Sequence, residues 1–199
     1  MLYILLKILV TPLMFLIFRP RVYGREHLKV KGGAIFICNH VSMIDAALLV
    51  VISPRIIHFM AKAELFQSKI GNLFFRLLFA FPIDRTRSDL VSVKKAMRVL
   101  KANKVFGIFP EGKRTITDSM DALEKGAAFL ASRSDVPVVP MYIARNSYES
   151  RRIVMVVGAP IYANDLKGSI PKSQLVNVFN DKIETTLHAL RDVVEEIAL

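Results

Sequence analysis

Short apolar runs, separated by amphipathic stretches of helical length, restrict this chain to one broad fold class. The runs 34–38, 56–60, 105–109, 136–143 and 152–157 have the length of strands. Runs this continuous suit strands buried on both faces, because a sheet with one wet face would alternate apolar with polar residues. Helical patterns lie between and after them, over 42–51, 70–81, 88–103, about 121–131 and 174–199. In the third, Ser88 is a candidate N-cap; Leu90, Val93, Met97 and Leu100 recur on one face, with Lys94, Lys95, Arg98 and Lys101 elsewhere. The 70–81 run is apolar on nearly every side except at Asn72 and Arg76, which predicts either a buried helix or a second membrane-contacting surface. Strands alternating with helices predict an α/β fold with a central, mostly parallel sheet flanked by helices. The sequence has no internal repeat and no low-complexity linker, and 199 residues accommodate one such domain.

Ahead of that pattern lies LYILLKILVTPLMFLIF, residues 2–18, followed by Arg19, Arg21 and Arg25. As a helix it would reach about 25 Å, short of the roughly 30 Å hydrocarbon core of a bilayer. Lys7 is placed to snorkel and Pro12 to kink the helix. No basic segment precedes the run and no small-x-small site follows it, which argues against a cleaved signal peptide. We expect residues 1–20 to be an N-terminal hydrophobic membrane-anchoring helix, whether a short span, a re-entrant segment or a helix lying in the interface. A buried core helix is the alternative. Residues 21–199 then form the functional domain, and the arginines after a spanning segment would place it on the cytoplasmic side of the cell membrane.

Charge narrows the function classes. The chain carries a net +11 while 53% of it is apolar, a combination that excludes disorder and sets it apart from soluble nucleic-acid binders. The excess is local: residues 1–50 carry +4, residues 51–115 carry +9, residues 116–160 are neutral, and residues 161–199 carry −2. One cysteine supports neither a disulfide framework nor a cysteine-based metal site. An anionic, partly apolar partner such as a membrane lipid fits, and nucleic acid is not expected.

Asn39-His40-Val41-Ser42-Met43-Ile44-Asp45 follows a strand, where sites collect in α/β sheets. On one helix His40 and Asp45 would stand roughly 140° apart, but a turn between them lets the carboxylate fold back and orient the imidazole as a general base. Ser42-x-x-Asp45 is also a capping-box spelling, so Asp45 has a purely structural alternative, and Asn39 and His40 could be loop residues with local hydrogen bonds. Gly107-Ile108-Phe109-Pro110-Glu111-Gly112-Lys113-Arg114 nearly spells a nucleotide-binding loop, but Arg114 stands where the magnesium-binding Ser or Thr belongs and the interior is bulky. It reads better as a strand ending in a tight turn that displays a carboxylate and two cations, Arg114 suiting a phosphate. Pro82-Ile83-Asp84-Arg85 is a second acid–cation turn, and Lys62 alone is one lysine among many. There is no G-x-S-x-G elbow, Cys38 ends an apolar strand as a buried inert thiol would, and His27, His58 and His188 stand isolated from one another.

Taken together, Asn39-His40-x4-Asp45, FPIDR at 81–85, FPEGKR at 109–114 and VPVVP at 136–140 resemble, in order and spacing, the four motifs of the glycerolipid acyltransferase superfamily. MAKAEL at 60–65, KGAAFLA at 125–131 and GAPI at 158–161 resemble bacterial 1-acyl-glycerol-3-phosphate (lysophosphatidate) acyltransferases, and the likeness runs from about residue 20 to 165. The resemblance implies that 21–199 is an acyltransferase domain and that His40, oriented by Asp45, is the base for the free sn-2 hydroxyl of lysophosphatidate. It implies acyl-CoA or acyl-carrier protein as donor, phosphatidate as product, and no cofactor, metal or acyl-enzyme. A backbone amide near the first motif would hold the oxyanion. Lys62, Arg85, Glu111, Gly112 and Arg114 match positions that hold the glycerol phosphate, and 136–140 would shape the sheet beside the acyl chain. Two departures stand out. Phe79 occupies a place usually held by Gly, so the local backbone is expected to differ, and Lys113 replaces a usual Thr, adding charge beside the phosphate site. The same chemistry on glycerol-3-phosphate or another lysophospholipid, or a non-catalytic basic membrane-binding module, are the competing readings.

Overall fold

The computed structural model describes residues 2–83, 90–112 and 123–198. Among them, seven strands form one sheet: β1 (Arg21–Tyr23), β2 (Ala34–Cys38), β3 (Ile57–Lys62), β4 (Ala80–Ile83), β5 (Val105–Ile108), β6 (Val138–Ile143) and β7 (Val154–Val157), in the order β1-β7-β6-β2-β5-β3-β4. Every pairing is parallel except β6 with β7. The helices are α1 (Leu2–Phe18), α2 (Ile44–Ile52), α3 (Lys69–Leu77), α4 (Leu90–Lys101), α5 (Gly126–Ser134) and α6 (Leu175–Ala198).

The apolar run of β2 is continuous because both of its faces are covered. Ala34, Phe36 and Cys38 pack into one cluster with Met14 of α1 and Leu48, Leu49 and Ile52 of α2. Ile35 and Ile37 point the other way, into a cluster with Ala96 and Leu100 of α4, Ala127, Ala128 and Leu130 of α5, and Phe179 and Ile183 of α6. This is the expected mostly parallel α/β sheet, extended by two short strands at its edges, β1 and β4.

The 70–81 run divides. α3 stops at Leu77, Phe79 turns the chain with φ 59°, and β4 begins at Ala80. No residue of α3 is buried and Ile70 is 84% exposed, which rules out the buried-helix reading. Phe79 itself adopts the left-handed backbone that a glycine enters without strain. The phenylalanine holds the conformation by wedging its ring against Tyr3 of α1 (centroids 5.6 Å apart) and His58 of β3 (5.1 Å).

α1 lies along α2 with only Tyr3 and Met14 buried, while Ile4, Leu5, Ile8, Leu9, Leu13 and Leu16 stay exposed. It is therefore no core helix. No helix among the described residues is long and apolar enough to cross a membrane, so the spanning form of the anchor is not supported. Lys7 does not snorkel: its Nζ donates to the Ser53 carbonyl at the end of α2, and burial lowers its pKa, with Arg25 acting in the same direction.

Candidate active site

Parallel strands deliver their following loops to one edge of the sheet, and the segments that follow β2 and β5 are such loops, whereas 138–140 of the fourth motif lie within β6. β2 ends at Cys38 and leads into Asn39 and His40; its neighbour β5 leads into Phe109-Pro110-Glu111-Gly112. β3 and β4 end beside each other, with Lys62 opposite Ile83.

His40 and Asp45 meet. The imidazole Nδ1 is 2.9 Å from Asp45 Oδ2, and the same oxygen accepts from the Val41 and Ser42 amides at 2.7 and 2.8 Å. The capping and catalytic readings are therefore not rivals, because one fully buried carboxylate closes the start of α2 and grips the histidine. An ionised carboxylate only accepts, so Nδ1 donates and the imidazole lone pair lies on Nε2. Phe109 fixes the ring plane from the side, its ring stacked on His40 at 4.1 Å and 19°. The His40 side chain keeps 20% exposure, enough to meet a substrate.

Three features of this arrangement escaped sequence reasoning. Asn39 is no locally bonded loop residue. Its Oδ1 accepts from the Ile143 amide at 2.8 Å and its Nδ2 donates to the Ile143 carbonyl at 2.9 Å. Backbone register between β2 and β6 ends at Cys38 opposite Met141, so the Asn39 amide replaces a peptide at the next ladder position. Second, Tyr148, in the turn after β6, donates its hydroxyl to Asp45 Oδ1 at 2.5 Å. Burial, the Asp45 charge and that hydrogen bond all raise its pKa, so it remains a donor. Third, the Val41, Ser42 and Ile44 amides are already engaged, the last with Ser42 Oγ.

The Phe109–Gly112 segment is a closed turn, with the Gly112 amide donating to the Phe109 carbonyl at 3.2 Å. Gly112 has φ 66°, a conformation that favours glycine, and a Cβ there would stand 2.4 Å from Glu124 Oε1, so the end of that side chain would have to move. Glu111 is buried and Lys62 exposed. Arg85, with Asp84 and the Ser88 cap, and Arg114, with Lys113, lie outside the described residues, and the helix expected from about 121 begins only at Gly126, after non-helical 123–125. A small pocket opens beside the turn, lined by Met60, Ile83, Phe109, Pro110, Gly112 and Glu124 among others. Cys38 is fully buried, and burial, then Asp45 and Glu111, push its pKa well up, as befits an inert thiol. His27 Nδ1 lies 3.0 Å from the Val157 carbonyl oxygen and His188 sits on α6, both away from His40. Among the described residues no three His, Cys, Asp or Glu side chains group as metal ligands.

A family model described as Acyltransferase matches residues 19–144. A 1-acyl-sn-glycerol-3-phosphate acyltransferase of Bacillus subtilis (strain 168) is 28% identical over 183 residues, covering 89% of this chain and 90% of that protein. One from Cocos nucifera is 30% identical over 164 residues, covering 79% of this chain and 52% of the relative. The crystal structure of the 1-acyl-sn-glycerophosphate (LPA) acyltransferase PlsC from Thermotoga maritima shares the fold, with a TM-score of 0.69 at 21% identity, over 96% of this chain and 81% of that one.

Proposed function

The chain belongs to the acyltransferase family, and from that premise we propose that it transfers a fatty acyl group from a thioester to the sn-2 hydroxyl of 1-acyl-glycerol-3-phosphate, giving phosphatidate. The observation that carries the mechanism is the His40–Asp45 contact at the end of β2. His40 Nε2 removes the hydroxyl proton as the oxygen attacks the thioester carbonyl carbon, and Asp45 stabilises the resulting imidazolium. The tetrahedral intermediate expels the thiolate, which takes the proton from His40, leaving an ester and a free thiol. Lys62, Arg85, Glu111, Gly112 and Arg114 are proposed to hold the glycerol phosphate. Acyl-CoA or acyl-carrier protein is the proposed donor, with no cofactor or metal.

The exposed apolar side of α1 supports docking to a membrane from one leaflet. We place the active domain on the cytoplasmic side of the cell membrane. The test is turnover of labelled acyl-CoA and acyl-carrier protein with a panel of lysolipids and glycerol-3-phosphate, beside His40→Ala and Arg114→Ala. Lysophosphatidate should be the preferred acceptor. His40→Ala should lose about 10²–10⁴-fold in kcat, and Arg114→Ala should act chiefly on KM for the acceptor. Full activity in His40→Ala would overturn the mechanism, and silence with every acceptor would favour a binding module.

A further inference from the structure

Asp45 is wholly buried, and one of its oxygens already receives the imidazole and two amides. Its other oxygen is met by a residue 103 positions away, the Tyr148 hydroxyl. Tyr148 is held in turn. Its ring meets Phe18, the last residue of α1, edge-on at 5.7 Å and 79°. The Ile153 amide donates to the Phe18 carbonyl at 2.9 Å. Ser147 Oγ accepts from the Val154 amide at 3.1 Å, tying the turn that carries Tyr148 to β7. Tyr148 lies beyond the 19–144 matched by the family model.

We propose that Tyr148 is a positioning residue for the His40–Asp45 pair, and that the C-terminal end of α1, through Phe18, keeps it in place. The proposal rests on the acyltransferase reading for its kinetic effect. A carboxylate bound through one oxygen alone can rotate about its Cβ–Cγ bond; with both oxygens bonded it cannot, and the imidazole is held in one orientation. The phenol also draws part of the charge of Asp45 away from the histidine. Without the hydroxyl that charge falls on the imidazolium, which then keeps its proton to higher pH. α1 thus belongs to the catalytic apparatus as well as to the apolar surface.

Tyr148→Phe removes only the hydroxyl and keeps the ring on Phe18. With the full-length enzyme, kcat should fall about 5–20-fold with KM for lysophosphatidate within about twofold, and the acid limb of the kcat profile should move to higher pH. Among the described residues, titratable groups near the pair include Cys38 at the end of β2, which interacts with Asp45 and with Glu111 after β5. Both are unchanged in the variant, so a displaced limb belongs to the lost hydroxyl. Phe18→Leu, which keeps the hydroxyl but loosens its support, should show the same effects in smaller measure when assayed with short-chain, water-soluble substrates. With such substrates a role confined to membrane docking predicts no effect. A Tyr148→Phe profile superimposed on wild type overturns the proposal, as does a fall in kcat with the limb unmoved, and a silent Phe18→Leu overturns the part assigned to α1. If the wild-type protein turns over no acceptor, the acyltransferase reading fails instead. The His40 ring signal followed by NMR against pH then decides, since its midpoint should still differ between wild type and Tyr148→Phe.

Discussion

Asn39→Ala removes both hydrogen bonds to Ile143, along with the weak one that Cys38 Sγ donates to Asn39 Oδ1. Asn39 is 3% exposed and Ile143 wholly buried, so the Ile143 amide and carbonyl would both be left in a dry interior. Each buried group deprived of its partner costs about 1–3 kcal/mol, giving a loss of about 2–6 kcal/mol against a total stability of about 5–15 kcal/mol for a typical domain. The assay is urea unfolding, where the midpoint should fall at constant slope. Asn39→Asp sharpens the test. It keeps an acceptor for the Ile143 amide but turns an oxygen towards the carbonyl that Asn39 Nδ2 served. Burial would raise the pKa of the introduced carboxyl in the folded state above its unfolded value, near 4. Its penalty should therefore be full at pH values above the folded value and shrink as the pH falls through it, because the protonated acid can donate to the carbonyl. His40 follows Asn39 directly, so kcat should also fall in molecules that remain folded. A loss below about 1 kcal/mol in Asn39→Ala, or an Asn39→Asp penalty that does not ease with acid, would refute the assignment of Asn39 as a substitute peptide in the ladder.

Two further outcomes follow from packing and burial. Gly107→Ala would place a Cβ 2.4 Å from Phe59 Cε1 and 2.8 Å from Ile57 Cγ2, and Phe59 lies parallel to the Phe109 ring that stacks on His40. It should cost about 1–3 kcal/mol in unfolding experiments and lower kcat, whereas an unchanged enzyme would show that the stack has room to move. Burial, and then the Lys104 charge, lower the pKa of His58 below its ordinary 6.5, so below that pH the unfolded chain takes up a proton that the folded one refuses. Stability should therefore fall as pH drops from the ordinary value through the folded one, and His58→Gln should flatten this slope in urea midpoints.

What the sequence discloses depends on how far apart the interacting residues stand along it. β2 was legible because a strand covered on both faces needs five apolar residues in succession, and 34–38 provides them. β4 was not. Its apolar residues continue those of α3, and the break between them is a left-handed phenylalanine rather than a glycine or proline. β1 is three residues long with both ends exposed, too short and too wet to register as a strand. At the site, the five-residue spacing of His40 and Asp45 was legible as two alternatives, and the carboxylate turned out to serve both. Asn39 and Tyr148 act across 104 and 103 residues. No local pattern encodes partners that only the completed sheet brings together.

The network around Asp45 also bears on how a chain of net charge +11 can keep a working carboxylate. The four groups bonded to Asp45 are two amides, a phenol and an imidazole, and none carries a fixed positive charge. Dipoles hold an anion without cancelling it. An arginine or lysine paired with Asp45 would neutralise the carboxylate before the reaction began, and an imidazolium forming beside it would gain little. The acceptor brings its own negative charge, and sheet order separates the two anions: β5 stands between β2, which leads to His40, and β3, which ends at Lys62. Two strand spacings are about 10 Å. An acceptor whose phosphate sits towards Lys62 and whose hydroxyl reaches His40 would therefore span this edge with its charge away from Asp45. On the proposed reading, that separation would let cations bind the phosphate while the carboxylate keeps its field for the base.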